Sequence, residues 1–163
     1  VRDPVSRDPR LVAAIRTLLC DLDGPLEPLE ADAAISGLAE ALVALDPGAV
    51  RRPERPGTAA AVERARARLA ESTGVVRSED LEALTGLDRF TLARHFRRRF
   101  GTSPYRYLVM RRLDAARIMI RAGAALADTA FAVGFADQSH LTRQFKRAFG
   151  VTPERWRRLG IAA

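Results

Sequence analysis

The sequence contains one cysteine, Cys20, and two histidines, His95 and His140. A single cysteine cannot form an intrachain disulfide, and three such residues are too few for a zinc module built from Cys and His ligands. These absences exclude a disulfide scaffold and a Cys-rich zinc module. No Ser/His/Asp grouping and no phosphate-binding glycine-rich loop is present either. We therefore predict no catalytic residues, no metal and no cofactor.

Long apolar runs are also missing. No window approaches the roughly 18 apolar residues that a membrane helix needs, and residues 1–10 lack the apolar core of a secretory signal. We therefore expect a cytoplasmic protein with no membrane partner. No segment alternates apolar and polar residues for long enough to indicate a β-strand. With 47% hydrophobic and 29% charged residues among 163, the composition predicts a globular, all-α chain.

The net charge of +7 is unevenly distributed along the chain. Residues 1–57 hold 7 arginines and 10 acidic residues, a net charge of −3, whereas residues 58–163 carry a net charge of +10. A basic domain attracts nucleic-acid phosphates, anionic lipid headgroups or acidic proteins. Charge alone does not choose among these partners.

The acidic N-terminal part, residues 1–46, reads as a hairpin of two amphipathic helices. Apolar residues recur at helical spacing in each helix. The stripe of the first helix is Leu11, Ile15, Leu18 and Leu22, and that of the second helix is Ile35, Leu38, Leu42 and Leu45. Two short helices have too little mass for a core of their own. We expect the hairpin to pack on the rest of the chain or, through residues 8–45, on a second copy in a homodimer.

Residues 47–57 form the predicted linker, because prolines and glycines cluster there without apolar periodicity. The basic domain, residues 58–163, follows. Thr58 is predicted to be the N-cap of its first helix, which buries a stripe at Val62, Ala65 and Leu69.

A self-match at an offset of 49 residues dominates the basic domain. Residues 92–107 read LARHFRRRFGTSPYRY and residues 141–156 read LTRQFKRAFGVTPERW, with eight of the sixteen positions identical. Chance is a poor explanation for such a match. One structural unit therefore occurs twice.

Each copy reads as a helix, a turn and a second helix, over about 78–100 and 126–149. The second helix buries apolar residues spaced by four, such as Leu92 and Phe96, and ends at a glycine suited to the left-handed conformation. Asp88 and Asp137 are placed to cap these helices. For the preceding helices we predict buried apolar residues: Leu81 and Leu84 in the first copy, and Ala130, Phe131 and Val133 in the second.

In a helix-turn-helix the second helix enters the DNA major groove. The faces opposite the buried residues are basic and can donate hydrogen bonds. They carry Phe90, Thr91, Arg94, Arg97 and Arg98 in the first copy and Ser139, His140, Arg143, Lys146 and Arg147 in the second. Arg94 and Arg143 occupy the same position, where arginine can pair bidentately with guanine.

A long helix is predicted between the copies, from Pro104 to Arg121, with Val109, Leu113, Ala116 and Ile120 along one side. Eighteen residues at about 1.5 Å each span roughly 27 Å. Two recognition helices joined in this way could reach successive major grooves of B-DNA, about 34 Å apart.

At this point the chain resembles the AraC-type (AraC/XylS) transcriptional regulators over residues 58–159. The most specific stretch is 130–158, AFAVGFADQSHLTRQFKRAFGVTPERWRR. The resemblance implies a homeodomain-like fold with two helix-turn-helix units joined by a long helix. It also implies base contacts by Phe90, Thr91 and Arg94 in the first unit and by Gln138, Ser139, His140 and Arg143 in the second. One departure is Glu82, since family members often have a small residue there, as this second unit has in Ala130.

The resemblance further implies double-stranded DNA and RNA polymerase as partners. The 57 preceding residues look like the helical end of an effector domain without its β-barrel, so we expect no small-molecule effector. Two alternatives remain open at this point. One is a helical interaction module with non-specific nucleic-acid affinity. The other is the DNA-binding part of a DNA-repair methyltransferase, although Cys20 stands alone on an apolar helix, where a buried structural thiol is the simpler interpretation.

Overall fold

A computed structural model describes residues 7–20, 27–46, 48 and 56–160. Within these ranges every regular element is an α-helix, which confirms the all-α fold. The described helices are α1 (Pro9–Cys20), α2 (Pro28–Ala44), α3 (Thr58–Glu71), α4 (Ser78–Thr85), α5 (Arg89–Phe100), α6 (Pro104–Arg121), α7 (Leu126–Ala132), α8 (Gln138–Phe149) and α9 (Pro153–Arg158). The chain divides into two compact units, residues 1–69 with 76–105 and residues 70–75 with 106–163.

The first unit contains the N-terminal helices and the first helix-turn-helix. Helix α1 packs on α2, and α2 packs in turn on α4 and α5. The predicted stripe of α3 is buried, and Leu81, Leu92 and Phe96 join it in the core. The hairpin therefore packs on the rest of the chain, which was one of its two predicted arrangements.

The face that α2 buries differs from the predicted one. Ile35 and Leu42 are exposed, whereas Leu29, Ser36 and Ala41 are buried. Small residues let α2 approach its neighbours closely, and this contact decides the buried face more than the leucine and isoleucine stripe does. In α1, Ile15 is likewise exposed. The side chains of Leu18 and Cys20, and all of Leu22, lie outside the described residues.

The turn of the first helix-turn-helix forms as predicted, with one correction. Helix α4 ends at Gly86, whose φ of 70° is left-handed, and Thr85 Oγ1 donates a hydrogen bond to the Leu81 carbonyl over 2.6 Å. Leu84, predicted to be buried, is 39% exposed. Helix α4 has only eight residues, and its buried stripe of Ser78, Leu81 and Thr85 leaves Leu84 at the edge of the buried face.

The second unit buries one side of α6 and the inner faces of α7 and α8. The predicted α6 stripe, Val109, Leu113, Ala116 and Ile120, is fully buried, as are Leu141 and Phe145. Phe131, predicted to be buried, is 85% exposed. Helix α7 turns Leu126, Thr129 and Ala130 inward, and Phe135 in the following turn supplies the buried aromatic ring instead.

A buried arginine ties the segment 70–75 to the second unit. Arg112 is 2% exposed, donates from Nη2 to the Gly74 carbonyl over 2.9 Å and stacks on Phe135. Gly134, with φ of 89°, lies against the same segment, because a Cβ atom there would be 2.3 Å from the Thr73 carbonyl oxygen. The turn before α8 is thus packed directly against backbone.

Candidate nucleic-acid interface

Aspartate side chains set the start of α5 and α8, the two predicted recognition helices. Asp88 accepts a hydrogen bond from the Thr91 amide over 2.9 Å, and Asp137 accepts one from the His140 amide over 2.7 Å. Both caps are confirmed. Burial alone would raise the pKa of Asp88, but hydrogen bonds from the Thr91 and Phe90 amides outweigh it and hold the pKa below its usual value.

The inner faces of the two helices hold them in place. In both copies the first two apolar residues, at positions 92 and 96 and at 141 and 145, are buried. Gly101 and Gly150 end the helices with φ of 71° and 76°. Since the inner face is fully used for packing, the outer face is left for a partner.

The outer face of α5 presents arginines around an aromatic ring. Phe90 is 49% exposed, Arg94 and Arg98 are exposed, and Thr91 is half-buried. Arg97, the fifth predicted residue, is also half-buried and forms an ion pair with Glu40 of α2. Four of the five predicted residues therefore share a face that is open to a ligand, and Arg97 lies at its edge.

The outer face of α8 carries most of the residues predicted for it. The exposed members of the predicted set are Gln138, Ser139, Arg143, Lys146 and Arg147. His140, predicted to face outward, is only 6% exposed. Its ring meets Phe135 edge-on, with centroids 5.1 Å apart. The turn of this copy is one residue longer, which places Phe135 against the first turn of α8 and draws His140 inward.

Acidic residues of α2 and α4 surround the N-terminal end of α5. Arg89 forms ion pairs with Asp32 of α2 (3.0 Å), Glu79 (3.1 Å) and Glu82 (3.2 Å). Glu82 also accepts from the Arg89 amide over 2.7 Å. Hydrogen bonds to Glu82 and Asp32 raise the pKa of Arg89 further above its usual value. Glu82, the departure from the family pattern, therefore links α4 to α5 across the turn.

Sequence reasoning missed the pairs that Arg89 and Arg97 form with α2. A usable signal existed: Asp32 and Glu40 are eight residues apart, as are Arg89 and Arg97. Which helices meet is a tertiary property, however, and the spacing gains meaning only once α2 is seen to pack on α5.

In the described ranges, no group of three or more His, Cys, Asp or Glu side chains could hold a metal ion. None of the described helices combines the length and apolar character needed to cross a bilayer.

Comparison with known proteins identifies the domain. Residues 81–159 match the family model described as a helix-turn-helix domain, and the solved structures similar to this chain include regulators described as AraC family or AraC-type. The chain carries a helix-turn-helix domain that is similar to AraC-type DNA-binding domains. No curated protein matches it.

Three solved structures illustrate the similarity. A probable AraC family transcriptional regulator from Rhodopseudomonas palustris CGA009 is 24% identical, covers 63% of this chain and 99% of its own, and has a TM-score of 0.56. The DNA-binding domain of AdpA, solved with a target DNA, is 25% identical over 64% of this chain and 93% of its own, with a TM-score of 0.52. A regulator with an AraC-type DNA-binding domain from Chromobacterium violaceum is 25% identical over 64% of this chain and 92% of its own, with a TM-score of 0.51.

Proposed function

We propose that this protein is a sequence-specific DNA-binding transcription factor whose helices α5 and α8 read two successive major grooves. The observation that carries the proposal is the repeated outer face: Arg94 and Arg143 stand exposed at the same position of two capped helices whose inner faces are buried. The similarity to the AdpA domain, which was solved on a target DNA, supports DNA as the ligand. Such a protein acts in the cytoplasm, at the nucleoid, and has no catalytic activity.

The two positions along each helix have different roles. Arg94 and Arg143 lie one turn into their helices, where a guanidinium reaches base edges, and can pair bidentately with guanine O6 and N7. Arg98 and Arg147 lie one turn further along, where phosphate is the nearer partner. Phe90 and Ser139 stand in the first turns of the two helices, as does the exposed Gln138. These side chains complete the proposed base-reading surface.

The test begins with a binding site selected from a random pool of duplexes. Arg143→Ala should weaken binding to this site by about 1–3 kcal/mol and relax the preference at one or two base pairs. Arg147→Ala should weaken binding to all sequences about equally and reduce the salt slope by roughly one unit.

Arg68→Ala is the matched control, because Arg68 is an exposed arginine on α3, outside the recognition helices. It should change affinity less than either variant of α8. Equal losses on specific and random DNA for Arg143→Ala would contradict the base-reading role. No measurable binding to any duplex would overturn the proposed function as a whole.

Two further partners belong to this proposal. One is RNA polymerase, with which a regulator of transcription must interact.

The other is a second copy of the chain, because α1 and α2 leave large apolar side chains exposed. These are Val12, Ile15, Leu19, Ile35, Leu42 and Val43. Sedimentation equilibrium of the wild type and of Leu19→Asp tests the homodimer: a dimer that the variant converts to monomer supports it, and a monomeric wild type contradicts it.

A further inference from the structure

Helices α2 and α5 are joined by two ion pairs in matching register. Asp32 contacts Arg89 over 3.0 Å, and Glu40 contacts Arg97. Both pairs link residues 57 apart in sequence, so the two helices run in the same direction along each other. Eight residues of helix correspond to roughly 12 Å. The acidic side of α2 therefore follows α5 for about two turns.

Small side chains bring the two helices close together between these pairs. Ala33 and Ser36 of α2 and Ala93 of α5 line one narrow cavity, and both Ser36 and Ala93 are buried. At Gly37 a Cβ atom would lie 3.9 Å from Arg97 Nη2, so this guanidinium rests against the backbone of α2. The contact is a packed helix interface as well as a pair of charges.

Arg97 belongs to two surfaces. Along α5 it lies beside Arg94 and Arg98, on the edge of the outer face proposed to meet DNA. A carboxylate oxygen and a phosphate oxygen both accept hydrogen bonds from a guanidinium, and Glu40 Oε2 accepts one from Arg97 Nη1. Donors that are engaged by Glu40 are not available to a phosphate at the same time.

We propose that α2 is an intramolecular competitor of DNA at the first recognition helix, with Glu40 occupying the place of a phosphate on Arg97. The inference rests on the proposed function. The contact between α2 and α5 stabilises the protein when DNA is absent. Because linkage is reciprocal, the same free energy opposes DNA binding by the first unit. Helix α8 packs most closely on α7 and α9, and Lys146, which stands at the position of Arg97 in this copy, is exposed. The second unit therefore binds first, and the first unit binds fully when Glu40 releases Arg97.

Glu40→Gln in the full chain tests the competition directly. With Arg97 released to a phosphate, the salt slope on the selected duplex should steepen by about 0.9, and affinity at 0.1 M salt should rise roughly three- to tenfold. Glu63→Gln is the matched control, because Glu63 pairs with Arg99 of the same helix and its loss changes the charge of the unit equally. A gain for Glu40→Gln no larger than the gain for Glu63→Gln would overturn the inference.

Arg97→Ala supplies the second arm of the experiment. In the wild type it should weaken binding by much less than it does in the Glu40→Gln background, because Glu40 already holds the guanidinium. In the Glu40→Gln background it should remove the whole gain. Equal losses in the two backgrounds would mean that Arg97 contacts DNA regardless of Glu40, which contradicts the competition.

Amide hydrogen exchange provides a readout that does not depend on a variant folding well. Binding of the wild type to DNA should speed exchange in α2 relative to the free protein. Unchanged or stronger protection of α2 would overturn the inference. Suppose that Arg143→Ala weakens binding to the selected site, while α2 keeps its protection on DNA and Glu40→Gln gains no more affinity than Glu63→Gln. The proposed function then stands, and only the competition fails.

Discussion

Gly134 in the second helix-turn-helix should be far less replaceable than Gly86 in the first. Both glycines are turn residues with left-handed φ, 89° and 70°. A Cβ atom at Gly86 would meet nothing within 4 Å, whereas one at Gly134 would lie 2.3 Å from the Thr73 carbonyl oxygen and 3.2 Å from Arg112 Nε. The substitutions Gly86→Ala and Gly134→Ala therefore separate backbone strain from steric conflict.

The expected losses follow from these contacts. Placing alanine in the left-handed region costs about 1–2 kcal/mol at either glycine. At Gly134 the Thr73 carbonyl must also move by about 1 Å to restore an ordinary carbon–oxygen distance near 3.3 Å. The next carbonyl, that of Gly74, accepts the hydrogen bond from Arg112, and disturbing a charged hydrogen bond costs about 1.5–3 kcal/mol. Gly134→Ala should thus lose roughly 2.5–5 kcal/mol in total.

Urea unfolding followed by far-UV circular dichroism and by tryptophan fluorescence measures both losses. The only tryptophan, Trp156, lies in the second unit and packs on Phe145 with centroids 5.9 Å apart, so its emission reports on the unit that contains Gly134. Gly134→Ala should lower the fluorescence midpoint far more than Gly86→Ala does. Losses that agree within about 0.5 kcal/mol would refute the steric argument, because they would leave only the shared backbone strain.

Three other changes have defined outcomes in the same urea titration. Asp88→Ala should cost about 0.5–2 kcal/mol at pH 7 through loss of the cap. Because the pKa of Asp88 is lowered on folding, its ionised form contributes stability above pH 3.8, and this stability is lost as the pH falls through the folded pKa. The free energies of unfolding of the wild type and of Asp88→Asn should therefore converge in acid. A difference that stays constant with pH would contradict this. Arg112→Ala should cost about 3–5 kcal/mol and Arg112→Met clearly less, since the longer side chain refills the buried space; equal costs would show that the lost hydrogen bond alone matters. Phe131→Ser should stay within about 0.5 kcal/mol of the wild type, because the ring is exposed.

Sequence patterns predicted the features that depend on neighbouring residues. The caps at Asp88 and Asp137, the left-handed Gly101 and Gly150 and the buried stripe of α6 all follow from local geometry, in which spacing along the helix fixes the face. The repeat strengthened the predictions of the caps and of the two glycines, because two copies had to satisfy them together. For this reason the helix-turn-helix units were predictable from one sequence.

Predictions failed where another element decides which face is buried. Leu84 and Phe131 follow the apolar pattern of their short helices, yet both are exposed because other residues fill the inner face. His140 occupies an outward position by comparison with Thr91, but in the longer turn of the second copy Phe135 packs edge-on against its ring, which is buried. The local sequence of a helix does not specify which neighbouring element will pack on each of its faces.

The two copies of the unit differ along the flank that α2 covers. Their shared inner residues are buried in both, but the flank of α5 has Arg89, Ala93 and Arg97 where α8 has Gln138, Thr142 and Lys146. Ala93 is buried in the first copy, whereas Thr142 is half-buried in the second, and only an alanine-sized residue lets α2 approach this closely. The inner face fixes how each recognition helix is held, which leaves the flank free to change. One unit can therefore serve two surroundings, an acidic helix beside α5 and an open flank beside α8, without altering the packing that presents Arg94 and Arg143.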